Sequence, residues 1–286
     1  MKKASTNTYN QTQLYLWREG GTVHFHEKNV AFEHWNNIRF QSLPYPDKEH
    51  YTTVDVRKGL PYSDHTFDAI YAYHISEHLT WHENIAFTHE LYRVLRPGGV
   101  CRLSTPDLHL KAVDYLHQVK QNKIDPSIDN RKNYYWSVYG LIDQLARVSS
   151  GGEMLKALRS GFYNESYIKD NYGDVHMSYI SEKQNRRDQA ESKGLEYYIY
   201  AIYRKLITLF SNDKHRIYIE NERFYFDDIS YKRLMHTCAF VEVTAMTYNT
   251  SSIPHWDVYM MDTSEHGDYP LEPSCFVEGK KTILKD

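Results

Sequence analysis

The chain has 286 residues and only three cysteines, Cys101, Cys238 and Cys275. They are far apart, fall in apolar runs and form neither a CxxC pair nor a zinc-type spacing. That excludes a disulfide framework and a zinc ribbon, and leaves buried free thiols of a reducing compartment as the expectation. Positive charge is not in excess. Against 34 Lys and Arg stand 37 Asp and Glu, a formal net charge of −3. This balance argues against nucleic acid and anionic membrane surfaces as partners. No apolar run reaches the roughly 18 residues of a membrane span. The two lysines of MKKASTNTYNQTQ lack the apolar segment that would follow them in a signal peptide. The expected location is therefore cytoplasmic. What the chain does contain is 41% hydrophobic and 25% charged residues, an ordinary globular composition. Its 26 tyrosines and 16 histidines are the unusual numbers. Tyrosine buries area while keeping a polar tip, which suits polar-substrate pockets and subunit contacts. A homo-oligomer or a partner subunit is accordingly among the expectations.

The hydrophobic pattern predicts an α/β fold. Residues 1–12 are polar and read as a tail. Leu14–Arg18 reads as a short helix, broken by Gly20-Gly21. Strands are expected at Thr22–His26, Asn37–Phe40 and Thr52–Val56, where alternation or β-branching is strong. The organising stretch follows, from Tyr51 to Asp107. Within it Phe67–Tyr73 and Gly99–Ser104 have strand composition. The helical face of residues 82–95 lies between them, stopped by the turn Arg96-Pro97-Gly98-Gly99. This is about one βαβ crossover. From His109 to Lys214 strand signals vanish, and helices are expected at Lys111–Gln121, Trp136–Val148, Glu153–Leu158 and Leu195–Phe210. The α/β character returns with a helix capped by Asp227 or Asp228 and strands at Val241–Tyr248 and Ser274–Thr282. The expected fold is thus a Rossmann-like, mostly parallel sheet with an antiparallel C-terminal hairpin. Residues 1–108 and 215–286 build it, and 109–214 form a helical insertion.

The densest set of titratable groups, His74-Ile75-Ser76-Glu77-His78, stands where the strand Phe67–Tyr73 ends. In an open α/β sheet ligands bind at the carboxyl ends of strands. His74 is the candidate general base, since histidine exchanges a proton near neutrality, and Glu77 is the group that would orient it. Tyr163, Tyr167 and Tyr172 could line a polar pocket.

Three pieces of this chain resemble the class I S-adenosylmethionine (SAM) methyltransferases of the type 11 kind. Gly59 to Asp68, GLPYSDHTFD, resembles the family's entry to strand four. His74 to Leu79, HISEHL, resembles its H-x-x-E-H segment. Glu90 to Gly99, ELYRVLRPGG, resembles its approach to strand five. Weaker likenesses, Leu141–Met154 with Gly151-Gly152 and His215–Lys280, resemble a subgroup associated with sugar and polysaccharide modification. The resemblance runs from about Thr22 onwards. It implies SAM as cofactor and O-methylation of a saccharide or other polar small molecule. It implies that Asp55 reaches the adenine amino group, with Val56 and Tyr73 beside the cofactor, and that His24, His26 and Glu27 stand where the family's glycine-rich loop lies.

Two departures fall on that cofactor site. His24-Phe25-His26-Glu27-Lys28-Asn29 contains no glycine, Gly20-Gly21 precede the expected first strand, and Arg39 stands where an acid would hold the ribose. Glycines let a backbone approach a ligand without Cβ clashes. Two other readings follow from the departures. One is a degenerate domain serving as a partner subunit. The other is a metal enzyme in which His24 or His26, with Glu27, meets His74 and Glu77 across adjacent strands. No sequence motif specifies a metal site.

Overall fold

The computed structural model describes residues 13–18, 36–40, 52–147, 151–173, 176–177, 180, 221–259, 261–263, 270 and 272–283. The chain divides into two compact units. Unit 1 is Met1–Asp107, Phe224–Pro270 and Ser274–Asp286, and unit 2 is Leu108–Arg223 with Leu271–Pro273. The second expected domain boundary, at 214/215, lies outside the described residues, as does the expected helix Leu195–Phe210.

Unit 1 is built on strands β1 (Gln13–Arg18), β2 (Asn36–Phe40), β3 (Thr52–Val54), β4 (Phe67–Tyr73), β5 (Leu95–Pro106), β6 (Val241–Met246) and β7 (Ser274–Lys280). They form one sheet in the order β3-β2-β1-β4-β5-β7-β6. The pairs from β3 to β5 are parallel, whereas β7 runs antiparallel to both β5 and β6. This is the mixed sheet with a C-terminal antiparallel pair expected from the sequence. The chain lays β1, β2 and β3 outward on one side, then returns to place β4 on the other side of β1. The strand order reverses between β1 and β4, and the crevice at their carboxyl ends is where such sheets bind ligands.

The first strand is not where the sequence pattern put it. Gln13–Arg18, expected to contain a short helix, is β1, paired with β2 from Leu14↔Asn36 to Arg18↔Phe40 and with β4 from Gln13↔Ala69 to Trp17↔Tyr73. The four apolar residues Leu14–Trp17 are too few to show a period, and sheet neighbours on both sides override a weak local preference. The expected strand Thr22–His26 lies outside the described residues. Gly20-Gly21 therefore follow the first strand in sequence instead of preceding it.

Alternation divides the side chains of the central strands between two faces. Leu16, Ile70, Ala72, Cys101, Leu103, Cys275 and Val277 point into one apolar core. Helices α1 (Trp81–Val94) and α5 (Asp228–Thr237) cover it with Phe87, Leu91, Val94, Tyr231, Leu234 and Met235. Both helices start at a capping box, Thr80 with Glu83 and Asp227 with Ser230. At the far end of α1, the ammonium of Lys281 donates to the carbonyls of Tyr92 and Leu95 at 2.6 and 2.8 Å. A cation there satisfies the orphan carbonyls of a helix C-terminus. The expected turn at Arg96–Gly99 is absorbed into β5, where a Cβ on Gly99 would lie 2.8 Å from the Asp68 carbonyl oxygen.

The opposite face of the sheet is polar and aromatic. Tyr15 stacks on Tyr71 with centroids 5.5 Å apart, and Trp256 meets Tyr71 edge-on. Arg102, wholly buried, reaches Asp262 at 2.7 Å and Glu278 at 2.9 Å. It also donates to the carbonyls of Thr247 and Thr250. The Tyr71 hydroxyl donates to Asp262. The connection between β6 and β7 is thereby tied onto the sheet.

Unit 2 is helical among its described residues. α2 (Leu108–Ile124) and α3 (Ile128–Val138) lead into a π-helical turn, Tyr139–Asp143, and α4 (Gly152–Ser160) follows. Its core gathers Trp136, Met154, Ala157, Tyr167, Ile168, Tyr172 and Ile180. Asp143 accepts from the Glu153 and Met154 amides at 2.8 and 3.2 Å and so caps α4. The glycine pair has a packing reason: both residues have positive φ, and a Cβ on Gly152 would sit 2.3 Å from the Asp143 carboxylate. Tyr167 and Tyr172 are core residues here, with the Tyr167 hydroxyl bonded to Asp114. Half-buried Tyr163 packs beside Trp136.

Candidate functional site

The site forms where β4 ends. Trp17 of β1 is level with Tyr73 of β4, so His74, the next residue, enters the loop at the point where the strand order reverses. His74 takes a left-handed backbone, φ 49°, and its amide donates to the Ser104 carbonyl at 3.0 Å. A non-glycine residue there costs roughly 1–2 kcal/mol, offset by the contacts that hold it. A short 3-10 turn, Ser76–His78, follows. Asn84 of α1 pins this turn by donating to the Ser76 and Leu79 carbonyls at 2.8 and 3.1 Å.

The side chains converge on Glu77, which is fully enclosed. His74 Nδ1 lies 3.3 Å from Glu77 Oε1, and His78 Nε2 lies 3.6 Å from the same oxygen. Thr105 of β5 donates to Oε2 at 3.2 Å. The Phe224 amide donates to the Glu77 backbone carbonyl at 3.3 Å. Tyr73 stacks on the His74 ring with centroids 4.2 Å apart. On the far side of the ring, His74 Nε2 lies 2.9 Å from Ser274 Oγ. The structure thus brings His74, Glu77 and Tyr73 together.

The other expected cofactor residues fare differently. Asp55 follows β3 and is held by Arg57, whose amide and Nε both reach Oδ1, at 3.2 and 2.7 Å, while its second terminal nitrogen reaches Oδ2 at 2.8 Å. Burial raises the Asp55 pKa, but the hydrogen bonds and charge of Arg57 outweigh it and the net direction is down. With two lone pairs per oxygen, Oδ2 keeps capacity for one further donor such as an amino group. The Val56 side chain is buried in the apolar core. His24, His26 and Glu27 lie outside the described residues. Arg39 sits inside β2, opposite Trp17 and Thr53, and no acid stands between Asn36 and Ser42. Among the described residues no group of three His, Cys, Asp or Glu is arranged to hold a metal ion. Among those residues, too, no helix is long and apolar enough to cross a membrane.

Sequence reasoning missed Ser274, Arg102 and Asp262. Ser274 has no motif around it, and only β7 pairing brings it to β4. Arg102 did leave a signal, a lone charge within the apolar run Val100–Ser104.

Residues 23–103 match the model of the methyltransferase domain family. Over 61 residues the chain is 43% identical to a probable SAM-dependent methyltransferase of Mycolicibacterium smegmatis, covering 20% of this chain and 23% of that protein. The chain therefore spans about a quarter of the length of that curated relative. Among solved structures, a SAM-dependent methyltransferase of Methanosarcina mazei is 11% identical, with a TM-score of 0.39 over 97% of this chain and 95% of that one. A possible histamine N-methyltransferase of Thermotoga maritima is 10% identical, with a TM-score of 0.38 over 96% and 84%. Residues 23–103, with the motifs they enclose, are thus similar to the class I SAM-dependent methyltransferases.

Proposed function

We propose that this chain transfers a methyl group from SAM to a hydroxyl of a sugar or other polar small molecule. The observation that carries the reading is the pair His74 and Glu77, an imidazole held on a buried carboxylate at the strand-order reversal. The residues present fit the cofactor. Gly20-Gly21 come one residue after β1, and Asp55 follows β3 with a single hydrogen bond on Oδ2, from Arg57. When bound, SAM supplies an electrophilic methyl on a sulfonium sulfur, so the protein has only to orient the acceptor and take its proton. Nε2 of His74 receives that proton, and Glu77 stabilises the imidazolium that results.

The missing ribose acid lowers affinity without abolishing it. A hydrogen bond to a charged group is worth about 1.5–3 kcal/mol, or roughly tenfold to a hundredfold in Kd. Titration calorimetry of the full chain with SAM tests the reading. Saturable heat in the micromolar to submillimolar range is expected. No heat at millimolar SAM, with the protein folded by circular dichroism, would sink it. A panel of saccharides and simple alcohols, scored by formation of the demethylated cofactor, then identifies the acceptor.

A further inference from the structure

Ser274 opens β7, is half-buried, and places its hydroxyl 2.9 Å from His74 Nε2. The opposite ring nitrogen, Nδ1, lies 3.3 Å from Glu77 Oε1. A carboxylate has no hydrogen to give, so Nδ1 carries the hydrogen of the neutral imidazole and Nε2 presents its lone pair. Thr105 fixes the second oxygen of Glu77, which keeps the carboxylate turned this way. The Nε2 lone pair faces the Ser274 hydroxyl. Tyr73 covers one face of the ring, and only 13% of the His74 side chain is exposed. Ser274 is therefore the hydroxyl that stands on the Nε2 side of the ring.

The geometry points to Ser274 as a proton relay between the acceptor and His74. The inference rests on the methyl-transfer reading. The acceptor hydroxyl gives its hydrogen to Ser274 Oγ as Ser274 gives its own to His74 Nε2. The acceptor oxygen is left with the electron pair that attacks, Ser274 ends neutral, and His74 ends as an imidazolium on Glu77. The balance names the acceptor class. An alcohol fits, because it must lose a hydrogen to become a good nucleophile, whereas a carboxylate has none to give.

Ser274, His74 and Glu77 also carry the residue types of a hydrolytic triad, so the test separates the two roles. Nitrogen-15 NMR of the histidine side chains, on the full chain without any ligand, reads the tautomer and hydrogen bonding of His74. Wild type is expected to carry hydrogen on Nδ1, with an Nε2 signal shifted by a donor. Ser274→Ala keeps that tautomer and moves Nε2 to the position of an unbonded nitrogen. Ser274→Thr restores it, and Glu77→Gln loses the single tautomer. With an alcohol acceptor from the panel, Ser274→Ala lowers kcat by about tenfold to a hundredfold at nearly unchanged KM. Hydrogen on Nε2 in wild type, or an Nε2 signal indifferent to Ser274→Ala, overturns the relay. Labelling of Ser274 by a fluorophosphonate would overturn it in favour of a nucleophile. Calorimetry of the same variants with SAM distinguishes the two failures: loss of SAM binding by wild type strikes the methyl-transfer reading, and the NMR result strikes the relay alone.

Discussion

Arg102 shows how much a single side chain can carry in this protein. It is one of the largest fully buried side chains, held between Asp262 and Glu278 and flanked by the rings of Trp256 at 4.4 Å and Phe276 at 4.8 Å. Each charged partner is compensated only while the other is present. Arg102→Met keeps much of the volume and leaves two carboxylates buried together. Removing one partner of a buried pair costs about 3–5 kcal/mol. Urea unfolding is expected to show that loss as a lower midpoint at an unchanged slope. A loss under 1 kcal/mol would mean that the carboxylates neutralise or hydrate without consequence. His74 makes a contrasting residue. Its type and place were legible, because an H-x-x-E-H segment after a strong strand pattern is a local signal. Its partner Ser274 was not, because 200 residues separate them and only the antiparallel return of β7 joins them.

At the scale of the element, α1 is the piece that the sequence described best. Its expected range, 82–95, is offset by one residue at each end from Trp81–Val94, since its apolar face repeats over several turns. β1 is the piece it described worst, for want of any such agreement. QLYLWR has no cap, no flanking proline and too few residues to show a period. Misplacing it put Gly20-Gly21 on the wrong side of the first strand. α1 also yields a pH prediction. Arg93 bonds to Glu90 through two nitrogens, at 2.8 and 2.9 Å, and reaches Asp64 at 2.8 Å. The Leu60 amide donates to Glu90 at 3.0 Å. The Arg93 hydrogen bonds hold the Glu90 pKa below the usual carboxylate value, against the opposing effect of burial. A carboxylate depressed in the folded state adds stability above its unfolded pKa, about 4.3, and loses it as pH falls through the folded value. Stability should therefore drop below about pH 4.3. Glu90→Gln should remove part of that acid-side slope while costing about 1–2 kcal/mol at neutral pH. Urea midpoints measured from pH 7 to pH 3 check both. Parallel pH profiles for the two proteins would count against this role for Glu90.

For the whole molecule, the motifs of strands four and five are local, and they make the sheet recognisable from the sequence. The polar face beneath the sheet was not recognisable, because Tyr15, Tyr71, Arg102 and Asp262 meet only through strand order. The reversal between β1 and β4 places the ligand crevice in unit 1, so cofactor binding should stabilise that unit first. A ligand bound only by the folded state adds RT ln(1 + [L]/Kd), about 2.7 kcal/mol at a hundred times Kd. Hydrogen exchange read by mass spectrometry can show where that stability goes. With SAM at saturation, amides from the end of β1 through β2, the turn after Asp55 and the His74–His78 loop should slow. Peptides from Gly152–Ser160, whose cap and core are internal to unit 2, should exchange as before. Protection confined to unit 2 would place the ligand away from the strand ends and would remove His74 from the chemistry. Protection at the strand ends, equal with SAM and its demethylated product, would show that the site holds the nucleoside and amino acid parts and leaves the methyl to the acceptor side.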